Sequence, residues 1–175
     1  LICFQQENTH ITEEELVARF PHKEYFDLDG VILVTSVIAG NADFNTKADV
    51  ERIWGNIPVV SVGQKIEGIP SVLIETEDSM KQLVEHLILT HNYRKFLFIS
   101  GSEDHPDAEV RERIFTKTME AYRPWFSDLE YVLKRGYFTE VAAIRAMTEY
   151  MDEIKKSPDV VVCANDNMAI GVYKY

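Results

Sequence analysis

The sequence predicts an α/β fold built as two doubly wound parallel-sheet lobes, the first over residues 1–91 and the second over 92–175. Two observations predict it. Short apolar runs of strand length alternate with amphipathic stretches at helical spacing along the whole of the 175 residues. Runs such as "DGVILVTS" (29–36) are continuously apolar and do not alternate, which marks strands buried on both faces of a parallel sheet. Strands separated by helices then require right-handed crossovers.

The elements follow in order. "LICF" (1–4) reads as a strand, and 12–20 as a helix with Glu13, Glu14 and Glu15 in its first turn, where carboxylates oppose the helix dipole favourably. After the strand at 29–36, the stretch 45–55 carries Val50, Ile53 and Trp54 at helical spacing, and "IPVVSVG" (57–63) is the next strand. A turn-rich link, "KIEGIP" (65–70), leads to a short strand at 71–74. Thr76 is then expected to cap the clearest helix of the chain, with Met80, Leu83, Val84, Leu87 and Ile88 forming its apolar stripe and Asn92 suiting the left-handed residue past its end. The pattern repeats as strand 95–100, loop 101–108, helix about 109–122, strand 130–135, helix 139–155, strand 159–164 and a helix from about 166. The chain begins inside an apolar segment and ends inside a helix, so a fragment of a longer domain is expected.

Composition narrows the function. With 18 Lys plus Arg against 29 Asp plus Glu, the net charge of −11 repels a phosphate backbone, so no direct nucleic-acid contact is expected. No apolar run approaches the roughly 20 residues of a membrane span. Cys3 and Cys163 each sit in an apolar run and read as small buried hydrophobes of a reducing cytoplasm. Nucleophile-elbow, phosphate-loop and dinucleotide fingerprints are absent from the sequence, and the five histidines show no metal-ligand spacing, so neither catalysis, nor a cofactor, nor a metal is expected. His105 with Asp104 and Asp107 reads as an exposed polar loop.

Ligands of open parallel sheets bind beyond the carboxyl ends of the strands. The residues so placed include Ser36 and Gly63 in the first lobe, and 101–111, 136–138 and 165–167 in the second. On position alone, Arg111 is a solvated arginine pairing with Glu109 or Asp107, Phe138 is core, and Asn165 with Asp166 caps a helix.

Further motifs change that weighting. "DGVIL" (29–33), "IPVVSVG" (57–63), "EHLI" (85–88) running into "HNYRKFLFISG" (91–101), "GYFTE" (136–140) and above all "PDVVVCANDNMAIG" (158–171) stand in an order and spacing that resembles the effector-binding domain of the lactose-repressor family, of the periplasmic-binding-protein-like class I fold. The resemblance implies ligand contacts by Arg111, ten residues after the "SG" glycine, by Phe138, and by Asn165 and Asp166; Asp107 and Ser36, candidates by their position past strand ends, complete the set. It departs from the family at Gly63, where an acid is common, and at Asp107, where a small hydroxyl residue is expected. The stretch "SVGQKIEGIPSVLIETEDSM" (61–80) looks most like versions of the domain fused to cytoplasmic signalling modules, diguanylate cyclases or histidine kinases. What the resemblance implies is a non-catalytic sensor. A small polar metabolite, sugar-like or nucleoside-like, binds between two lobes of a homodimer, and hinge closure signals to an output module. The alternatives are the effector domain of a DNA-binding repressor whose reading head lies elsewhere, an enzyme of Rossmann-like or flavodoxin-like fold, and a lobe pair that serves only to dimerise.

Overall fold

The computed structural model describes residues 28–34, 47–63, 65–103 and 105–175. The strand expected at 1–4, the helix expected at 12–20, Cys3 and Ser36 lie outside the described residues. The chain forms two compact units, Leu1–Ile74 and Glu75–Tyr175. The lobe boundary read from the sequence stands at 91/92, whereas packing divides the chain ahead of the helix that begins at Glu77.

In the first unit, β1 (Val31–Val34), β2 (Val59–Val62) and β3 (Ser71–Val72) form a parallel sheet in that order, and α1 (Lys47–Trp54) lies between β1 and β2 in sequence. Leu33, Val50, Trp54, Val59 and Ile66 make its core. Ser61 is fully buried in β2, and its hydroxyl is satisfied by donating to Ser71 Oγ at 2.8 Å, which in turn donates to Ile69 O. Past the end of β2 the backbone turns through a left-handed Gly63, φ 107°, a conformation that a side chain would strain. An acid at this position would have to bear that strain.

The second unit holds α2 (Glu77–Leu89), β4 (Lys95–Ser100), α3 (Pro106–Tyr122), β5 (Glu130–Arg135), α4 (Glu140–Ile154), β6 (Val160–Cys163) and α5 (Asp166–Lys174). Its sheet runs β5-β4-β6, all parallel, so β4 is hydrogen-bonded on both edges. The run "KFLFIS" explains why this strand is central. Phe96, Leu97, Phe98 and Ile99 are each no more than 1% exposed. Phe98 stacks on Phe115 of α3, ring centroids 4.6 Å apart. On the opposite face, Ile99 and Met168 of α5 close over Gly136, where a Cβ would meet both. The β4 strand is thus covered on each face, as its continuously apolar sequence demands. Among the described residues, no helix is long and apolar enough to cross a membrane.

Helix ends show where local chemistry departed from expectation. Thr76 occupies the cap position of α2 but makes no side-chain cap bond. Glu75 takes that role, Oε1 accepting from Asp78 N at 2.9 Å, and these backbone donors hold its carboxyl below the usual range. Asn92 is left-handed as expected, φ 58°. Helix α3 starts three residues early because Pro106, with no N–H to satisfy and φ suited to a first turn, can open it. Cys163 is half-buried and not fully inside the core as expected, yet that burial pushes its thiol up to about 11.

At the amino ends of the strands, Asp159 Oδ2 accepts from both Arg94 N and Lys95 N at 2.9 Å. Those two donors hold its carboxyl below the usual carboxylate range. A depressed folded pKa gives stability that is present above the unfolded value, about 3.9, and is lost as pH falls through the folded one. Asp159→Asn is therefore expected to flatten the acid limb of a stability-against-pH curve below about pH 4, as read by urea denaturation. Helices α4 and α5 meet closely at Gly171, where a Cβ would come within 2.9 Å of Glu140 Cα. All three nearest atoms belong to the Glu140 backbone, so Gly171→Ala is expected to cost about 1–3 kcal/mol in the same measurement, despite alanine's better helix propensity.

Candidate functional site

The carboxyl ends of β4, β5 and β6 place three segments side by side: Ser100–Gly101, Arg135–Gly136 and Cys163–Asn165. Gly136 N donates to Ser100 O at 2.8 Å and Ala164 N to Ile99 O at 3.0 Å, so the ladder runs up to the edge where the chain turns away.

Beyond Gly136 the turn is strained. Tyr137 and Phe138 are both left-handed, φ 47° and 60°, and Thr139 N closes the turn on Gly136 O at 2.9 Å. For residues with a Cβ that conformation costs roughly 1–2 kcal/mol each. It persists because neighbours hold it. The Phe138 ring lies directly over Gly101, in space that any Cβ at 101 would occupy, and His105 meets it edge-on at 4.8 Å. Asn165 Nδ2 donates to Phe138 O at 3.2 Å, while Asn165 Oδ1 accepts from Met168 N at 2.9 Å. One side chain therefore caps α5 and fixes the turn before α4.

Arg111 comes from the second turn of α3 and reaches the end of β6. Its Nη1 donates to Ala164 O at 2.6 Å, and its Nη2 lies 3.6 Å from Asp107 Oδ2, one helical turn earlier. The pairing with Asp107 is the one expected on position alone; the reach to Ala164, 53 residues away, is not. Arg111, Asp107, Phe138 and Asn165 thus stand along one edge, with Asp166 exposed as the first residue of α5.

His105 joins this edge through Phe138, although the sequence reading left it in an exposed loop. Its place before Pro106, at the cap position of α3, was the available signal. Ser100 also ends β4 at this edge, fully buried, its hydroxyl without a hydrogen-bond partner among the described residues. No group of three His, Cys, Asp or Glu among the described residues is placed to hold a metal ion. A shallow open groove along α3 and β5, lined by Glu103, Glu109, Glu112, Arg113 and Arg135 among others, lies apart from this cluster. Its charges are largely paired, Arg135 standing between Glu103 and Glu112.

No protein-family model matches the chain, and no curated protein does. Solved structures do match. The myo-inositol binding protein of Caulobacter, bound to myo-inositol, superposes with a TM-score of 0.70 at 17% identity, over 93% of this chain and 55% of its own. The Cra transcriptional dual regulator of Pseudomonas putida, in complex with fructose 1-phosphate, gives 0.67 at 19% identity, over 83% and 51%. A sugar-binding transcriptional regulator of the LacI family from Enterococcus faecalis gives 0.66 at 23% identity, over 95% and 54%. The chain spans about half the length of the solved structures it matches. The periplasmic-binding-protein-like class I fold implied by the sequence motifs is the fold these proteins share with it.

The double role of Asn165 can be separated. Asn165→Asp keeps an acceptor for Met168 N but loses the donor to Phe138 O, whereas Asn165→Ala loses both. Alanine is expected to cost about 1–2 kcal/mol, in the range of a lost cap, and aspartate distinctly less, in equilibrium unfolding. Equal losses would mean that the bond to Phe138 carries the effect.

Proposed function

We propose that this chain is the ligand-sensing part of a cytoplasmic, non-catalytic protein that binds a small polar metabolite at the carboxyl edge of its parallel strands. The observation that carries the reading is the Asn165 bridge. A single amide holds a strained aromatic turn against a helix start, beside an arginine anchored on the neighbouring strand end. Backbone strain sustained by surrounding contacts is a feature of binding sites more often than of scaffolds. In this reading, Phe138 offers an aromatic face to a ring, Arg111 offers its remaining donors, and Asn165 and Asp166 an amide and an acceptor. Asp107 and Ser36 belong to the same proposed set. A ligand that prefers the closed state shifts its population by that difference in affinity, and hinge closure in the whole protein, as a homodimer, carries the signal to an output module.

A second reading is favoured by the regulators among the solved structures of this fold: the output is a DNA-binding head and the chain is the effector domain of a repressor. The same fold holds a neutral polyol in one solved protein and a phosphorylated sugar in another, so the fold by itself does not choose the ligand's charge.

The test is a thermal-shift screen of the whole protein against sugars, polyols and nucleosides. A true ligand at a hundred times its Kd stabilises by about 2.7 kcal/mol, which moves Tm by several degrees. Arg111→Ala, checked for folding by circular dichroism, is expected to remove that shift. If no compound of these classes stabilises the whole protein, the sensing reading is wrong.

A further inference from the structure

Resting on that sensing reading, we infer that the ligand is an uncharged polyhydroxyl compound, without phosphate or carboxylate, and that Asp107 is the residue that excludes anions. In a parallel sheet each crossover helix presents its amino end to the carboxyl edge of the strands, and a helix amino end is ordinarily a place for an anion. Here α3, α4 and α5 all start at that edge, and each start already carries a carboxylate in its first turn. Helix α3 opens on Pro106, which has no N–H, with Asp107 and Glu109 in its first turn; Ala108 N and Glu109 N both donate to His105 O. Helix α4 is capped by Thr139, whose hydroxyl accepts from Ala142 N, and carries Glu140 in its first turn. Helix α5 is capped by Asn165 and carries Asp166. Asp107, Glu109, Glu140 and Asp166 thus set negative charge against the dipoles that would otherwise favour a phosphate.

The arginine is spoken for in the same way. Nη1 of Arg111 is held by Ala164 O and Nη2 lies 3.6 Å from Asp107, so its positive charge is already paired with a carboxylate. The other guanidinium on a neighbouring strand end, Arg135, stands between Glu103 and Glu112. An anionic ligand would approach Arg111 only by displacing Asp107 or by lying against it, a like-charge contact that discriminates without any added binding. A neutral polyol meets the opposite situation. Its hydroxyls donate to carboxylates, which are strong acceptors, and the apolar face of a ring lies on Phe138.

The experiment compares matched pairs on the whole protein by calorimetric titration at fixed salt: glucose with glucose 6-phosphate, galactose with galacturonate, myo-inositol with its monophosphate, adenosine with its 5′-monophosphate. The neutral member of the pair that binds is expected to bind at least about tenfold tighter. Asp107→Ser, with Asp107→Asn as the variant that keeps the side chain's shape, is expected to shrink that ratio about tenfold or more by strengthening the anionic member. A wild-type preference for an anionic member, or an unchanged ratio in both variants, overturns the inference and leaves the sensing reading standing. Absence of binding by every member of every pair overturns both.

Discussion

The double burial of β4 is the constraint on which the second unit depends. The Lys95–Ser100 strand has partners on both edges and helices on both faces, so its length and direction fix where the β5 and β6 strands end. Phe96, Leu97, Phe98 and Ile99 make its interior apolar up to the buried Ser100 at its end, and the backbone groups are met by the two ladders. At the amino end, Asp159 ties the start of β6 to Arg94 and Lys95; at the carboxyl end, Gly101 leaves room for a ring. The two edges of the sheet are therefore built differently. One is clamped by a carboxylate, and the other keeps side chains that touch through glycines and a single amide.

That difference explains how two non-glycine residues can stay left-handed in succession. The turn at Tyr137–Phe138 gains little from its own sequence, since glycine or asparagine would fit it better. Its stability comes from elsewhere: the seat of the ring over Gly101, the edge contact of His105, and the bond from Asn165. Asn165 is itself held by capping α5, and α5 is held by close contact with α4 at Gly171. The aromatic face is thus positioned by a chain of contacts that ends in helix packing, which is rigid, and not in the loop that bears it.

Much of this was legible in the sequence, and the parts that were not have physical reasons. Strands 95–100 and 130–135 agree residue for residue with the expectation, because continuous apolar runs bounded by polar ends admit few alternatives. The start of α3 was misjudged because Pro106 reads as a loop breaker until it is seen at a first helical turn. Thr76 was expected to cap α2, yet a longer acid one residue earlier reached Asp78 N. The left-handed pair was invisible, since nothing in "GYFTE" but the glycine announces positive φ. The contact of Arg111 with Ala164 links positions far apart in the chain, and only the parallel pairing of β4 with β6 brings them together. The standing of Ser36 is a different matter, because that residue lies outside the described part of the chain.

Capping and ligand choice are two consequences of the same residues. A carboxylate in the first turn of a helix is typically worth about 0.3–1 kcal/mol to the fold, and α3, α4 and α5 all have one at the edge where a ligand would sit. Stabilising the helices in this way uses up the positive ends that anion-binding sites rely on. A chain of net charge −11 has few cations to restore the balance, and the one arginine reaching the end of β6 is partly committed to its own helix through Asp107. On the proposed reading, these first-turn carboxylates bias the edge toward neutral, hydroxyl-rich partners before any contact specific to a ligand is considered.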